Sequence, residues 1–165
     1  MDVSTAPVLA GVHHLKLPVS DLDRSLDWYV TRLGYRLQQD WFDDGVRTGV
    51  GMTHPAGGPD LALRHDPARA RASAGFDFFA IGVPDEAAIR SLAARLTALG
   101  EEHAGVHLAT FGWILPLLHD PDGHEVRFYT TEHHTDVTSV PEVHDAVRTA
   151  ARREASIARS GKGAD

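Results

Sequence analysis

The residues best suited to chemistry are a histidine, a lysine and two arginines in strand-like segments. His14 and Lys16 lie in "HLKLPV", Arg64 lies in "LALRH" and Arg127 lies in "HEVRFYT". A histidine, with an unperturbed pKa of about 6.5, can act as a general acid or base near neutral pH. Arginine can bind a carboxylate or phosphate through two parallel hydrogen bonds. The set therefore indicates acid–base chemistry or the binding of an organic anion.

An internal repeat predicts the elements that position these residues. "HLKLPVSDLDRSLDWYVTRLGY", residues 14–35, aligns with "FFAIGVPDEAAIRSLAARLTALGE", residues 78–101. Each copy is predicted to contain a strand, a polar break, an amphipathic helix and a Leu-Gly pair. The helix is predicted because the apolar residues of that segment recur every three or four positions. Ser20 and Asp85 are the predicted helix caps, and Gly34 is the predicted end of the first helix.

Three strand-like segments follow each helix, so each copy has the order βαβββ. The predicted strands are 36–42, 46–52 and 61–65 in the first copy, and 102–109, 113–118 and 125–130 in the second. Turn-rich "HPAGGPD" and "HDPDGH" precede the last strand of each copy. The sequence therefore predicts an α+β domain at 11–131, with modules at about 11–65 and 76–131 joined by a connector at 66–75. The tail, 132–165, contains one predicted helix at about 141–157.

Composition narrows the classes of partner. A formal charge of −7 without a long basic run argues against nucleic acids and acidic membrane surfaces. The absence of cysteine excludes disulfides, thiolate metal ligands and cysteine nucleophiles. No segment approaches about 20 apolar residues, and the first residues lack a signal-peptide pattern. We expect a soluble, cytoplasmic protein whose partner is a small molecule, and the sequence leaves open whether it forms a homodimer.

A paired βαβββ repeat that opens with "HHLKLPVSDLDRSLDWYVTRLGY" and closes with "DPDGHEVRFY" resembles the vicinal oxygen chelate superfamily. That superfamily includes glyoxalase I, bleomycin-resistance proteins and extradiol dioxygenases. The resemblance covers residues 11–131 and implies a curled mixed sheet around a cup that holds a small ligand. In the enzymes, inward side chains on the first and last strands of each repeat hold a divalent metal.

The resemblance places His14, Arg64, Phe78 and Arg127 at the four metal-ligand positions of the family. Phenylalanine cannot bind a metal, and two arginines would repel it. Strand alternation turns a larger set of side chains toward the cup. These predicted ligand-binding residues are Lys16, Arg64, Phe78, Ala80, Glu125, Arg127 and Tyr129, with His14 as the predicted catalytic residue. We therefore expect no metal or other cofactor.

A one-residue shift in the strand register is the alternative. It would turn His65 inward and combine it with His14 and Glu125 as two histidines and a carboxylate, a set that suits iron(II) or zinc. Two function classes follow. The first is a metal-free protein that binds an organic anion, for sequestration, resistance or acid–base chemistry. The second is a metal-dependent lyase, isomerase or ring-cleaving dioxygenase, so the sequence leaves open whether the chain is an enzyme.

Overall fold

A computed structural model of the chain describes residues 9–134. The predicted helix at 141–157 lies outside the described residues. The elements, in chain order, are β1 (Leu15–Val19), α1 (Leu22–Leu33), β2 (Arg36–Asp43), β3 (Val46–Thr53), β4 (Leu61–His65), α2 (Pro67–Ser73), β5 (Ala80–Val83), α3 (Glu86–Ala98), β6 (His107–Leu108), β7 (Trp113–His119) and β8 (Glu125–Thr130). The predicted α+β class and the repeated βαβββ order are confirmed.

The strands form two four-stranded mixed sheets, one from each copy of the repeat. The first has the order β1-β4-β3-β2, and the second has the order β5-β8-β7-β6. In each sheet the first and last strands of the copy are parallel neighbours, and the other pairs are antiparallel. The chain divides into two compact units, one ending at Ala70 and the other beginning at Arg71. No helix described between residues 9 and 134 is long and apolar enough to cross a membrane.

The predicted alternation of buried and open faces is present in the strands that carry the candidate residues. In β1, Leu17 and Val19 are buried, whereas Lys16 is exposed and Pro18 is partly open. In β8, Val126 and Phe128 are buried, whereas Arg127 between them is partly open. Because side chains of successive strand residues point to opposite faces, these pairs define an inner face on each sheet and leave the other face for the candidate residues.

Helix ends follow the sequence closely, with one correction. Asp21, rather than the predicted Ser20, caps α1, because its carboxylate accepts the N–H of Arg24 at 3.0 Å. The hydroxyl of Ser20 instead accepts a hydrogen bond from the guanidinium of Arg24. Gly34 ends α1 with a φ of 82°, a left-handed conformation that favours glycine. Asp85 caps α3 as predicted, through the N–H of Ala88 at 2.8 Å.

Two segments differ from the prediction. The predicted connector contains helix α2. The sequence "DPARA" provides its start, because the carboxylate of Asp66 accepts the N–H of Arg69 at 3.0 Å and Pro67 occupies the first turn. The predicted strand 102–109 is reduced to the two residues of β6. In the segment before β6, Nε2 of His103 lies 3.1 Å from the carbonyl oxygen of Ala93 in α3. The next residue, Ala104, donates a single backbone hydrogen bond to Pro116 of β7.

Candidate functional site

The open face of the first sheet carries several of the predicted site residues. Lys16 pairs with Ala62, and Pro18 pairs with Arg64, across the parallel β1 and β4 strands. On the other side of β4, Ala62 pairs with Gly51 of β3. Paired residues in neighbouring strands share a face, so Lys16 and Arg64 lie on the same side of this sheet. We call this surface the open face of the first sheet.

Trp41 of β2 lies over the same face. Trp41 pairs with Gly49 of β3. Its indole ring also contacts Gly51, which lies two residues further along β3. A Cβ atom at Gly51 would lie 3.0 Å from Cη2 of the indole, tighter than most Cβ contacts. Glycine at this position therefore lets the ring lie close to the strand. The sequence analysis did not select Trp41.

A pocket of about 180 Å³ borders this indole. It lies wholly within the first unit, and its walls combine apolar surface with hydrogen-bonding groups, as small-molecule sites do. The residues that define its character are His13, His14, Gln39, Trp41, Asp60 and Ala62.

His14 lies immediately before β1, at the wall of this pocket. Its Nδ1 is 2.9 Å from Nδ1 of His13, so one of these nitrogens donates a proton and the other accepts it. His13 lines the same pocket, because both histidines precede the strand and strand alternation does not apply to them. A proton shared by two exposed imidazoles beside a pocket is suited to acid–base exchange with a bound molecule.

Arg64 is held only at the surface. Its guanidinium lies 2.8 Å from the carboxylate of Asp43 and donates to the hydroxyl of Thr48 at 3.0 Å. Hydrogen bonds from Thr48 and Arg64 lower the pKa of the Asp43 carboxyl. The Arg64 side chain is 47% exposed and that of Asp43 is 61% exposed. Exposed ion pairs are weak because solvent screens them, so Asp43 holds Arg64 only loosely.

Arg127, the equivalent residue of the second sheet, has a different environment. Its Nε donates to Oε1 of Glu125 at 2.9 Å, and its Nη1 lies 3.0 Å from the carboxylate of Asp77. Glu125 is buried, and the same Oε1 accepts the backbone N–H of Leu117 at 3.0 Å. Leu117 has a φ of 62°, in the left-handed region that a leucine rarely adopts, at an irregularity in the pairing of β7 with β8. Glu125 therefore fastens this irregular segment to Arg127.

The electrostatics of this cluster agree with a structural role. Burial disfavours the charged form of Glu125, but the hydrogen bonds from Arg127 and Leu117 outweigh it and lower the pKa of the carboxyl below its usual value. Burial likewise opposes the charge of Arg127, yet Glu125 and Asp77 raise its pKa. The pair is thus ionised, with each charge already compensated inside the unit.

The remaining predicted residues of the second unit are distributed over its surface. Ala80 pairs with Arg127, so the two share a face of the second sheet, and Tyr129 pairs with Gly82 on that same face. Phe78 lies before β5 rather than within it. Its ring packs edge-on against that of His124, with centroids 5.5 Å apart.

A buried Asp–His–Ser chain lies behind Phe78, and the sequence analysis did not identify it. Nδ1 of His124 is 2.9 Å from Oδ2 of Asp120, and its Nε2 is 3.2 Å from the hydroxyl of Ser73. The other oxygen of Asp120 accepts the backbone N–H groups of Asp122 and His124. The chain ties the turn before β8 to the last residue of α2. The "DPDGH" motif is therefore a folded turn that is locked to a helix end.

The sequence itself matches the family model of the glyoxalase/bleomycin resistance protein/dioxygenase superfamily over residues 11–128. The chain belongs to this superfamily. No sequence among the curated proteins matches it closely enough to count as a relative.

Several solved structures have a similar fold. A glyoxylase/bleomycin resistance protein/dioxygenase domain from Frankia sp. EAN1pec is 26% identical, with a TM-score of 0.60 over 74% of this chain and 98% of that one. TnmS3, an antibiotic binding protein from Streptomyces sp. CB03234, is 20% identical, with a TM-score of 0.60 over 76% of this chain and 98% of that one. A lactoylglutathione lyase from Agrobacterium tumefaciens is 19% identical, with a TM-score of 0.59 over 74% and 95%. Binding proteins and enzymes therefore use the same fold, and the site must decide between them.

The side chains at the metal positions implied by the superfamily resemblance do not suit a divalent metal. Phe78 has no donor atom, and Arg64 and Arg127 would place positive charge beside the cation. Between residues 9 and 134, no three His, Asp or Glu side chains are grouped closely enough to hold a metal ion. His14 alone would supply a ligand.

The alternative metal set, His14 with His65 and Glu125, is not supported by the strand register. His65 pairs with Val19, which is fully buried, so His65 lies on the opposite face of β4 from Arg64. The carboxylate of Glu125 binds Arg127 and the N–H of Leu117 instead. The one-residue shift is therefore wrong, because the pairing of β1 with β4 continues without a bulge.

Proposed function

We propose that this superfamily member binds a small organic molecule on the open face of its first sheet, and that it does so without a divalent metal. The observation that carries the proposal is the pocket beside Trp41, where hydrogen-bonding side chains border an apolar floor. His13, His14 and Asp60 line this pocket. In the described part of the chain, they do not belong to a group of three or more side chains that could hold a metal ion. Polar groups of this kind orient an organic ligand rather than a metal ion.

The proposed ligand is an organic anion, and Arg64 is the residue that would recognise it. The exposed pair with Asp43 is weak, so exchanging one carboxylate for another there costs little free energy. Lys16 adds a second exposed cation on the same face. Arg127 is left out of this role, because the buried carboxylate of Glu125 already compensates it.

Binding for sequestration or resistance is the function that this pocket supports best. TnmS3, an antibiotic binding protein, has a similar fold. This similarity supports a role for the present chain in binding a ligand without turnover. Turnover is the second candidate, favoured by one observation: the proton shared between His13 and His14 at the pocket wall. In that case His14 would be the general acid or base, and Arg64 would hold the charged group.

A thermal-shift screen tests the proposal. Aromatic and aliphatic carboxylic acids are compared with their neutral amides, using the full chain after chelator treatment. We expect the acids to stabilise the fold more than the amides, and Arg64→Ala to weaken acid binding by about 1.5–3 kcal/mol, the range for a hydrogen bond to a charged group. Arg69→Ala is the matched control, because Arg69 also forms an exposed pair with an aspartate but lies on α2. Equal stabilisation by acids and amides would contradict the anion, and stabilisation only after a metal is added would contradict the metal-free site.

A further inference from the structure

The ring of Trp41 lies along strand β3. Four carbons of its six-membered ring fall within 3.7 Å of the positions that Cβ atoms would take on Gly49 and Gly51. Those two glycines are two residues apart and therefore share a face of the strand. The ring thus covers the backbone of β3 at both glycines, and a side chain at Gly51 would press against it.

The strand covers part of this ring, and the side chain as a whole remains partly exposed. Gly49 and Gly51 are buried, whereas Trp41 is 37% exposed. An indole held against a strand has already lost most of its freedom, so a ligand that stacks on it pays little further ordering cost. Aromatic rings prefer offset-stacked or edge-to-face partners, which gain more than their buried area alone provides.

The polar groups around the ring are arranged asymmetrically. A Cβ atom at Gly49 would lie 3.8 Å from Cδ of Arg64, so this arginine flanks the indole at the Gly49 end. Gly51, His14 and Asp60 border the pocket that opens beside the ring. A flat molecule on Trp41 therefore has a cation on one side and hydrogen-bonding groups on another.

We infer that the ligand is a planar aromatic acid of one or two fused rings, stacked on Trp41 with its acidic group directed to Arg64. This rests on the proposed function and narrows its ligand class. The size limit comes from the pocket, whose volume of about 180 Å³ is below the range of about 300–1,000 Å³ that drug-sized ligands occupy. Gly49 and Gly51 determine specificity, because they let the indole lie on the strand.

Two acids of equal charge and similar size test this inference: 2-naphthoate, which is flat and aromatic, and decahydro-2-naphthoate, which is saturated. Their dissociation constants are measured by calorimetry with the full chain in the presence of a chelator. We expect 2-naphthoate to bind about 3- to 10-fold more tightly, the advantage of an aromatic pair over area burial alone. Trp41→Leu is expected to remove this preference, and Phe42→Leu, at the neighbouring 60% exposed ring, is expected to keep it.

A second variant acts without removing the indole. Gly51→Ala places a Cβ against the ring and is expected to reduce the preference for 2-naphthoate and to change the tryptophan fluorescence. Gly82→Ala is its control, because the added Cβ meets only ordinary contact there, 3.5 Å from Thr131. Equal affinity for the two acids, no measurable binding of either, or a preference that survives Trp41→Leu would overturn the stacking inference. Binding of both acids that requires added zinc, with the preference retained, would instead contradict the metal-free proposal.

Discussion

Nε of Arg127 donates to Oε1 of Glu125 at 2.9 Å, and that same oxygen accepts the backbone N–H of Leu117. The repeat makes Arg127 the counterpart of Arg64, yet their surroundings give them different roles. Arg127 compensates a buried carboxylate that holds an irregular strand, whereas Arg64 forms an exposed pair with Asp43. Equivalence in the repeat therefore predicts position but not function.

The two arginines should differ in their effect on stability. Arg127→Ala leaves Glu125 buried without its main partner and is expected to lower the free energy of unfolding by about 1–3 kcal/mol. Arg64→Ala removes only an exposed pair and is expected to change it by less than about 0.5 kcal/mol. Urea denaturation of both variants checks this contrast. Similar losses in the two would show that Arg127 is no more structural than Arg64.

Glu125 should make stability depend on pH in one direction. Its pKa in the folded protein lies below the usual value of 4.5. Its contribution to the free energy of unfolding is therefore fully present above pH 4.5 and is lost as pH falls through the folded pKa. Glu125→Gln removes the charge and should lower the unfolding free energy at neutral pH. The difference between the two proteins should shrink in acid. A difference that is as large at acidic pH as at neutral pH would rule out the ionised pair as its source.

The buried Asp120–His124–Ser73 chain should be a fold determinant. His124→Ala removes a buried side-chain hydrogen bond to the Asp120 carboxylate and is expected to destabilise the fold by about 1–3 kcal/mol. Ser73→Ala removes the outer hydrogen bond to His124 and should cost about 0.5–1.5 kcal/mol. Unfolding in urea measures both values. A larger loss for Ser73→Ala than for His124→Ala would contradict this ranking.

Much of the fold could be predicted from the sequence because it depends on short-range patterns. The alternation in "HLKLPV" and "EVRFYT" and the caps at Asp85 and Gly34 require only local periodicity and turn chemistry. The errors are local as well. Ser20 and Asp21 are both good caps, and only the geometry of the first turn selects Asp21.

The floor of the candidate site could not be predicted because it depends on strand pairing. The pairing of β2 with β3 shifts twice, between Leu37 and Gln39 and between Trp41 and Phe42, and these shifts determine which side chain lies over the glycines. One signal was present: two glycines at alternate positions of a strand indicate close approach by another group. The ion pairs of Arg64 and Arg127 depend on Asp43 and Asp77, which no repeat position relates to them.

Ligand titration of the chelator-treated protein tests the central claim most directly. The dissociation constant of 2-naphthoate is measured by calorimetry on the full chain without metal, and again with added zinc, manganese or iron(II). Metal-free binding on the open face of the first sheet predicts the same constant in every case, weakened by Arg64→Ala and by Trp41→Leu. Binding that occurs only with an added metal, and that is lost in His14→Ala, would contradict it.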